Sequence, residues 1–397
     1  MKTNKIVLGA SLVLALSSAA NGQTVINITG ATAFRAAANN SIISLLGGAG
    51  VTKYAYTGTQ GIGGTNRAIF KGSVAGIGAV TVRASWSGST QGIADVASAT
   101  PVQVLEDDEL LLPTTTAGAN VTGPFEPVNQ VAQFAFSDVS QASSTTLSPS
   151  LTGVEVGVVP FAFVANASAP ATMTNMTDQI MASLYANAAV PLRLFTGNPA
   201  DTSPVYASGR NDGSGSRALV LAETRYGVFS SLQQFTGVTN QSTGIMESLT
   251  FVGNGGYSSN SGIRDLVYGL GNAVSVEGGA AEPAIVLSYL TISDWTAATV
   301  TGKNFDPDGA GPLPVQNQKA KGLTYNGVAY SEEAVKQGAY TLWGYQWLYQ
   351  APTITANELN FFNLFTAAIP ANLGSAAIPI PAMIATRSGG DGGPVAP

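Results

Sequence analysis

The sequence predicts an α/β protein of two domains. Short apolar strand patterns followed by helical patterns recur along the chain, which is typical of helices layered on a sheet. The chain has 397 residues, more than the roughly 250–300 residues that one hydrophobic core serves efficiently. We therefore expect two α/β domains, each with a mostly parallel sheet.

In the first part of the chain, residues 23–30 alternate as a strand and residues 33–47 carry apolar side chains near helical spacing. Three further strands with glycine-rich turns are predicted at VTKYAYTG, NRAIFKGSV and VTVRASWSG, and a short helix at STQGIADVASA. Later patterns predict strands at 131–141, 154–168 and 190–197 and a helix near 175–188. No internal repeat of fixed period is present.

The N-terminus has the layout of a cleavable secretory signal. Lys2 and Lys5 precede an apolar run that ends at Leu16, and small residues follow through Gly22. The run is too short to span a bilayer. We expect residues 1–22 to be removed, and the mature chain to be periplasmic or secreted, without an N-terminal cysteine that could carry a lipid anchor.

Composition excludes several functional classes. The chain has no histidine and no cysteine, so a Ser-His triad, an imidazole metal site, a thiolate nucleophile and a disulfide are all excluded. Without the two signal lysines the mature chain has 15 basic and 23 acidic residues, a net charge of −8. Such a chain is a poor binder of nucleic acid. We expect no enzyme activity, no cofactor and no metal.

The most informative stretch is GRNDGSGS, residues 209–216, directly before a predicted helix. The first amides of a helix have no intrahelical acceptors and lie at the positive end of its dipole, so they attract anions. Ser214 and Ser216 add hydroxyls, Gly213 and Gly215 permit close approach, and Arg210 adds a guanidinium fork. For this motif alone, a Ser/Asp N-cap on a surface helix is an equally good interpretation.

Similar turns occur elsewhere in the chain. TGATAFRAAA (29–38) and SWSGSTQGIADV (85–96) place glycine, serine or threonine before a helix, and SDVSQ (137–141) places a carboxylate after an apolar strand. In open α/β sheets, ligands bind at the carboxyl ends of strands, where all these turns would lie. QGIGGTN (60–66) is a rival for the second turn, but a strand pattern follows it, whereas a helix pattern follows residues 87–93.

Taken together, these segments resemble the periplasmic phosphate-binding proteins of ABC importers, in the type II periplasmic binding protein superfamily. TGATAF, SGSTQGI, FAFSDVS and GRNDGSGS are similar to that family's ligand loops, in the same order along the chain. Residues 325–349 resemble the region leading to the family's Gly-x-Tyr-Pro segment, with Thr341 where proline is usual. The Arg210 segment is the most specific part of the resemblance.

The resemblance implies which residues bind the ligand: Thr32, Ala33, Phe34, Ser89, Asp138, Arg210, Asp212, Ser214, Gly215 and Ser216. The amides of Ala33 and Phe34 and the hydroxyl of Ser89 would hold the anion from one lobe, where Asp138 would accept a hydrogen bond. The Arg210 segment would close from the other lobe, and Asp212 would orient Arg210 rather than contact the ligand.

The family also implies a two-lobed type II fold whose hinge consists of two crossover strands. We expect lobe I at 24–155, with insertions near 48–80 and 101–128, lobe II at 156–289, and a return to lobe I at 290–397. The first ligand loop departs from the family pattern, because it is one residue shorter and has Ala33 where threonine is expected. Thr32 is placed to compensate.

The function implied is capture of inorganic phosphate or a related oxyanion by a monomer that serves an ABC permease. Two alternatives remain open at this point. The fold could serve a secreted surface or matrix protein with a structural or vestigial anion site, or the ligand could be sulfate, molybdate or a phosphorylated organic molecule.

Overall fold

The computed structural model describes residues 23–47, 52–58, 60–106, 119–120, 127–239, 245–305 and 316–397. The predicted signal, residues 1–22, and much of the predicted insertion at 101–128 lie outside the described residues. None of the helices within these ranges is long and apolar enough to cross a membrane.

Most of the strands belong to one large mixed sheet. In chain order the strands are β1 (Thr24–Gly30), β2 (Lys53–Tyr56), β3 (Arg67–Val74), β4 (Gly78–Ser85), β5 (Pro101–Val104), β6 (Ala119–Asn120), β7 (Val128–Val131), β8 (Phe134–Ser137), β9 (Thr152–Ala165), β10 (Asn175–Met176), β11 (Ala189–Pro191), β12 (Pro204–Ala207), β13 (Phe235–Thr239), β14 (Met246–Phe251), β15 (Leu270–Val276), β16 (Ala281–Glu282), β17 (Ile285–Thr291), β18 (Lys303–Phe305), β19 (Gln316–Gln318), β20 (Lys321–Gly322), β21 (Thr324–Tyr325), β22 (Trp343–Gln350), β23 (Thr386–Arg387) and β24 (Val395–Ala396). The order in the large sheet is β11-β12-β17-β9-β22-β8-β1-β4-β3-β2-β6, with β20 beside β9.

The helices follow strands at their carboxyl ends or cover the sheet. They are α1 (Arg35–Gly47), α2 (Gly61–Gly64), α3 (Ser89–Ala97), α4 (Asp178–Asn187), α5 (Arg193–Thr196), α6 (Gly215–Glu223), α7 (Asn260–Gly269), α8 (Ile292–Thr296), α9 (Glu332–Lys336) and α10 (Ala356–Ala368). A π-helical turn, Ala297–Thr301, continues α8. The predicted strand at 190–197 is largely wrong, because only its first residues pair with β12 and α5 follows.

The sheet is more antiparallel than the sequence analysis expected. Strand β1 is parallel to β4 and β8, and β12 is parallel to β17, whereas the other pairs of the main sheet are antiparallel except β2–β6. The expectation of a mostly parallel sheet is therefore wrong. One reason is that β3 and β4 form a hairpin over a tight turn in which Gly76 and Gly78 have positive φ, so residues 67–85 extend the sheet without a crossover helix.

Strands β9 and β22 join the two halves of the sheet. The first part of β9 pairs with β22 from Thr152 to Pro160, and its last five residues, from Phe161, pair with β17 of the other half. The chain leaves the first lobe through β9 and returns through β22, beside β8. The predicted α/β class with two lobes and two crossover strands is therefore confirmed.

The segment after β17 remains with the second lobe. Strand β20 pairs with β9 at Val164 and Ala165, and β21 pairs with β10. The side chain of Trp295 donates to the carbonyl of Phe163 at 3.3 Å. In the structure the chain thus returns to the first lobe at β22, later than the position near residue 290 that the sequence analysis expected.

Aromatic side chains form the core beneath the turns that follow β1, β4 and β8. The ring of Phe136 lies 5.2 Å from Phe34, 6.0 Å from Trp86 and 5.8 Å from Phe365. Phe34 follows β1, Trp86 follows β4, and Phe365 belongs to α10, so one ring of β8 contacts the segments around it. This packing fixes the ends of β1, β4 and β8 relative to one another.

Candidate anion-binding site

The start of α6 is organised by Ser214, as the sequence predicts for an N-terminal turn. The Ser214 hydroxyl accepts a hydrogen bond from the amide of Arg217 at 3.3 Å, which caps the helix. In the hydrogen bonds of the described residues, the amides of Gly215 and Ser216 donate to no acceptor. Two amide donors at the positive end of the dipole therefore remain available to an anion.

The start of α3 meets the start of α6 across the cleft. Thr90 donates its hydroxyl to the carbonyl of Asp212 at 3.3 Å, and the amide of Gln91 lies 3.5 Å from the carbonyl of Gly213. A Cβ added at Gly215 would lie 2.3 Å from Ser89 Oγ. Only glycine permits this approach, so the two lobes meet in a closed arrangement at this point.

Asp138 is the carboxylate of the site and lies directly after β8. It is 2 % exposed, and its amide donates to Ser89 Oγ at 3.2 Å. Its Oδ2 accepts from Ser216 Oγ at 3.2 Å, while the buried Oδ1 has no partner among the described residues. Burial raises the pKa of Asp138 to about 6, although nearby Arg210 and the hydroxyls of Ser216 and Ser89 counteract the rise.

Arg210 is buried, and its hydrogen-bond partners are neutral. It is 1 % exposed, and its guanidinium donates to the carbonyls of Tyr257 (3.0 Å) and Ser258 (2.8 Å) and to the hydroxyl of Thr32 (3.4 Å). Burial lowers the pKa of Arg210 and the nearby charge of Arg35 adds to this, while Tyr289, Asp138 and Asp294 oppose the change. No salt bridge to Arg210 occurs in the described part of the chain, so this positive charge is suited to an anionic ligand.

The turn before α1 contributes Thr32, Ala33 and Phe34. The ring of Phe34 is fully buried in the core against Phe136, so only its backbone is available to a ligand. Among the described residues, the amides of Ala33 and Phe34 donate to no acceptor. The hydroxyl of Thr32 contacts Arg210 and so joins this turn to the opposite lobe.

Asp212 is placed differently from the other predicted site residues. The residue is exposed, and no hydrogen bond or ion pair within the described ranges joins its carboxylate to Arg210. Its carbonyl instead accepts from Thr90. The orienting role that the resemblance implied for Asp212 is carried in the structure by the carbonyls of Tyr257 and Ser258.

The structure adds residues that the sequence analysis missed. Asn260, the first residue of α7, is 4 % exposed and donates to Ser216 Oγ at 3.4 Å. The hydroxyl of Tyr289 accepts from the amide of Arg210 at 3.2 Å. These residues lie more than 40 positions after the Arg210 motif, and the only signal for Asn260 was a Ser-Asn-Ser run before a helical pattern.

The structure therefore brings together nine of the ten predicted residues. We call this group, with Asn260, the anion cluster: Thr32, Ala33, Phe34, Ser89, Asp138, Arg210, Ser214, Gly215, Ser216 and Asn260. It offers one guanidinium, several hydroxyls and free helix amides, with a single carboxylate as acceptor. This chemistry fits a small anion that carries a proton. No group of metal-ligating side chains is found in the ranges that the structure describes.

Comparisons with known proteins give a likeness to solved structures only. No protein-family model matches the sequence, and no curated protein matches it. A substrate-binding protein assigned to phosphate ABC transport in Clostridium perfringens, solved with bound phosphate, is 12 % identical with a TM-score of 0.47, covering 90 % of this chain and 100 % of that one.

Two further structures are similar over comparable lengths. An ABC-type phosphate transport receptor from Vibrio cholerae is 12 % identical with a TM-score of 0.45, covering 89 % of this chain and 99 % of that one. A phosphate-binding protein from Stenotrophomonas maltophilia is 12 % identical with a TM-score of 0.35, covering 90 % of each chain. At these identities the likeness to the three structures concerns the fold alone.

Proposed function

We propose that the chain is an exported solute-binding protein that captures phosphate, or a similar small oxyanion, in the anion cluster between its lobes. The observation that carries the proposal is Arg210, a buried guanidinium whose hydrogen bonds all go to neutral acceptors. An anion in the cluster would offset this charge and accept from the free amides at the starts of α1 and α6.

Closure of the lobes would trap the ligand, with β9 and β22 as the hinge. We propose a cleavable signal at residues 1–22, a periplasmic or secreted monomer, and delivery of the ligand to an ABC permease. We assign no residue of the anion cluster a chemical step on the bound anion, so the proposed role is binding and not catalysis.

Thermal unfolding with added anions tests this function. A ligand at 100 times its dissociation constant should add about 2.7 kcal/mol to the free energy of unfolding. We expect phosphate to raise the unfolding temperature in a concentration-dependent manner, and calorimetry to give one site per chain. Sulfate and molybdate serve as the competing oxyanions.

One observation favours a second candidate, a secreted surface or matrix protein in which the cluster is structural. Ser216 bonds to Asp138, and Ser89 Oγ lies against Gly215, so cluster groups already contact one another across the lobes. Under this alternative the lobes would stay closed without a ligand. The absence of a thermal shift with any oxyanion would then support the structural role over transport.

A further inference from the structure

A polar cavity of about 450 Å³ adjoins the anion cluster between the two lobes. We call it the cleft cavity. The polar and charged residues that line it include Thr32, Arg35, Ser259, Asn260, Arg264 and Asp294. Its volume lies within the range of about 300–1,000 Å³ that is typical of pockets for small organic ligands. An inorganic phosphate held in the cluster would leave this cavity unused.

Three residues belong to both the cavity and the cluster: Thr32, Ala33 and Asn260, of which Thr32 and Asn260 have polar side chains. Thr32 lines the cavity, and its hydroxyl accepts from Arg210. Asn260 also lines the cavity, and its side-chain amide donates to Ser216. A ligand with one group in the cluster can therefore extend past these two side chains into the cavity.

Asn260 also leaves a polar atom without a partner. Its Oδ1 is buried and accepts no hydrogen bond from the described residues, although the residue is only 4 % exposed. A buried oxygen without a hydrogen-bond donor is destabilising, so this atom is suited to a donor on a ligand. Asn260 begins the ten-residue helix α7, so the positive end of that helix also borders the cavity.

Arg35 supplies a second buried positive charge. It is 9 % exposed, and its one hydrogen bond within the described chain goes from Nη1 to Asn66 Oδ1 at 2.9 Å. Arg264 differs, because it forms salt bridges with Asp294 at 2.9 Å and Asp265 at 3.0 Å. Asp294, Arg264 and Arg210 lie close enough to interact with the charge of Arg35, and none of them is hydrogen-bonded to it.

We propose that the ligand is a small phosphorylated molecule with a second anionic group. This inference rests on the proposed function, since the phosphoryl group would occupy the anion cluster. The second anion would lie in the cleft cavity and accept from the free guanidinium donors of Arg35, while Asn260 Oδ1 would accept from a hydroxyl of the ligand. Both a phosphorylated hydroxy acid and inorganic diphosphate have this chemistry.

Calorimetry with four ligands tests the inference: inorganic phosphate, glycerol 3-phosphate, 3-phosphoglycerate and inorganic diphosphate. The two organic ligands form a matched pair, because a carboxylate in one replaces a hydroxymethyl group in the other. We expect 3-phosphoglycerate to bind at least tenfold more tightly than glycerol 3-phosphate, which corresponds to about 1.4 kcal/mol. Diphosphate distinguishes an inorganic from an organic ligand. It should bind as tightly as 3-phosphoglycerate only if the site does not recognise the organic part of that ligand.

Variants of Arg35 locate the second anion. Arg35→Gln should remove the preference for 3-phosphoglycerate and leave phosphate affinity within threefold, whereas Arg35→Lys should retain most of the preference. Arg193→Gln, at an exposed arginine outside the cleft, is the matched control. If a variant does not fold by circular dichroism, the comparison of ligands on the wild-type protein still decides.

The two proposals fail in different ways. If phosphate binds and neither 3-phosphoglycerate nor diphosphate binds more tightly than the single-anion ligands, the inference is overturned and the proposed function stands. If the two-anion ligands bind more tightly but Arg35→Gln keeps their full preference, the assignment to Arg35 is overturned. If none of the four ligands binds, the proposed function fails as well.

Discussion

Ser216 Oγ donates to Asp138 Oδ2 across 3.2 Å, and this hydrogen bond joins the first turn of α6 in one lobe to the end of β8 in the other. Both residues are almost fully buried. Under the proposed function a bound anion would accept the hydrogen bond of the Ser216 hydroxyl and would donate one to Asp138.

Replacing Arg210 with alanine should weaken phosphate binding at least tenfold, or about 1.4 kcal/mol. The anion would then face only neutral donors, and charge-assisted hydrogen bonds are about twice as strong as neutral ones. Calorimetry on Arg210→Ala measures the loss, with the exposed Arg193→Ala as control. Unchanged affinity in a folded Arg210→Ala protein would remove this arginine from the site.

Asp138 should make the protein prefer phosphate to sulfate by at least a hundredfold, about 2.7 kcal/mol. An ionised carboxylate can only accept, and hydrogen phosphate has a proton to donate, whereas sulfate has none at neutral pH. Asp138→Asn adds a donor and should narrow the gap in competition binding. Asp212→Asn, the same change at an exposed position, should leave the ratio unaltered. Equal affinity of the wild type for the two anions would contradict this role.

The ligand-free protein should lose stability as the pH rises from about 4 to about 6. Folding raises the pKa of Asp138 from 3.8 to about 6, so between these values the folded state binds more protons than the unfolded state. The contribution of Asp138 to the free energy of unfolding, up to about 3 kcal/mol, is fully present below pH 4 and is lost by pH 6 to 7.

Urea unfolding in phosphate-free buffer measures this effect. The stability of Asp138→Asn relative to wild type should rise by up to about 3 kcal/mol between pH 4 and pH 7, because asparagine does not titrate. A difference between the two proteins that is the same at both pH values would show that Asp138 does not titrate in this range.

Gly215→Ala should weaken phosphate binding at least tenfold. The added Cβ would lie 2.3 Å from Ser89 Oγ and 3.1 Å from Asp138 Cβ, so α6 could not approach α3 as closely. Overpacking of this kind costs about 1–3 kcal/mol. At Gly213 the nearest atom to an added Cβ is Gln91 Cβ at 3.4 Å, so Gly213→Ala is the matched control. Calorimetry that gives wild-type affinity for Gly215→Ala would show that the lobes tolerate the extra atom.

Local patterns predicted much of the fold. The alternation at 23–30 became β1, the helical spacing after Ala33 became α1, and the turn before Ser89 became the start of α3. Each of these signals lies within one short stretch of sequence. Residues 48–80 were predicted as an insertion, but in the structure β3 pairs with β4 within the main sheet. Local patterns could not show this, because β4 joins the sheet by pairing with β1, which is distant in sequence.

The sequence predicted the part of the site that lies within one motif. Residues 209–216 contain both the turn before α6 and the side chains of that turn. Asn260 and Tyr289 were missed because only the folded chain brings them beside Arg210 and Ser216. The orienting role of Asp212 was inferred from a family pattern. In the structure Asp212 is exposed, and the backbone carbonyls at 257 and 258 accept from the Arg210 guanidinium instead.

Asp391 forms hydrogen bonds with the loop that follows Asp138. Asp391 Oδ2 accepts from the amide and the hydroxyl of Ser140, both at 2.8 Å, and from the hydroxyl of Ser143 at 2.7 Å. Gly392 packs against the backbone of Ala222 in α6, where an added Cβ would lie 2.4 Å from the carbonyl carbon. Residues 391 and 392 therefore contact both the loop after Asp138 in one lobe and α6 in the other. A protein immobilised on a sensor should therefore carry no linkage at or beside residues 391 and 392, since a surface attached there would strain the hydrogen bonds to Ser140 and Ser143.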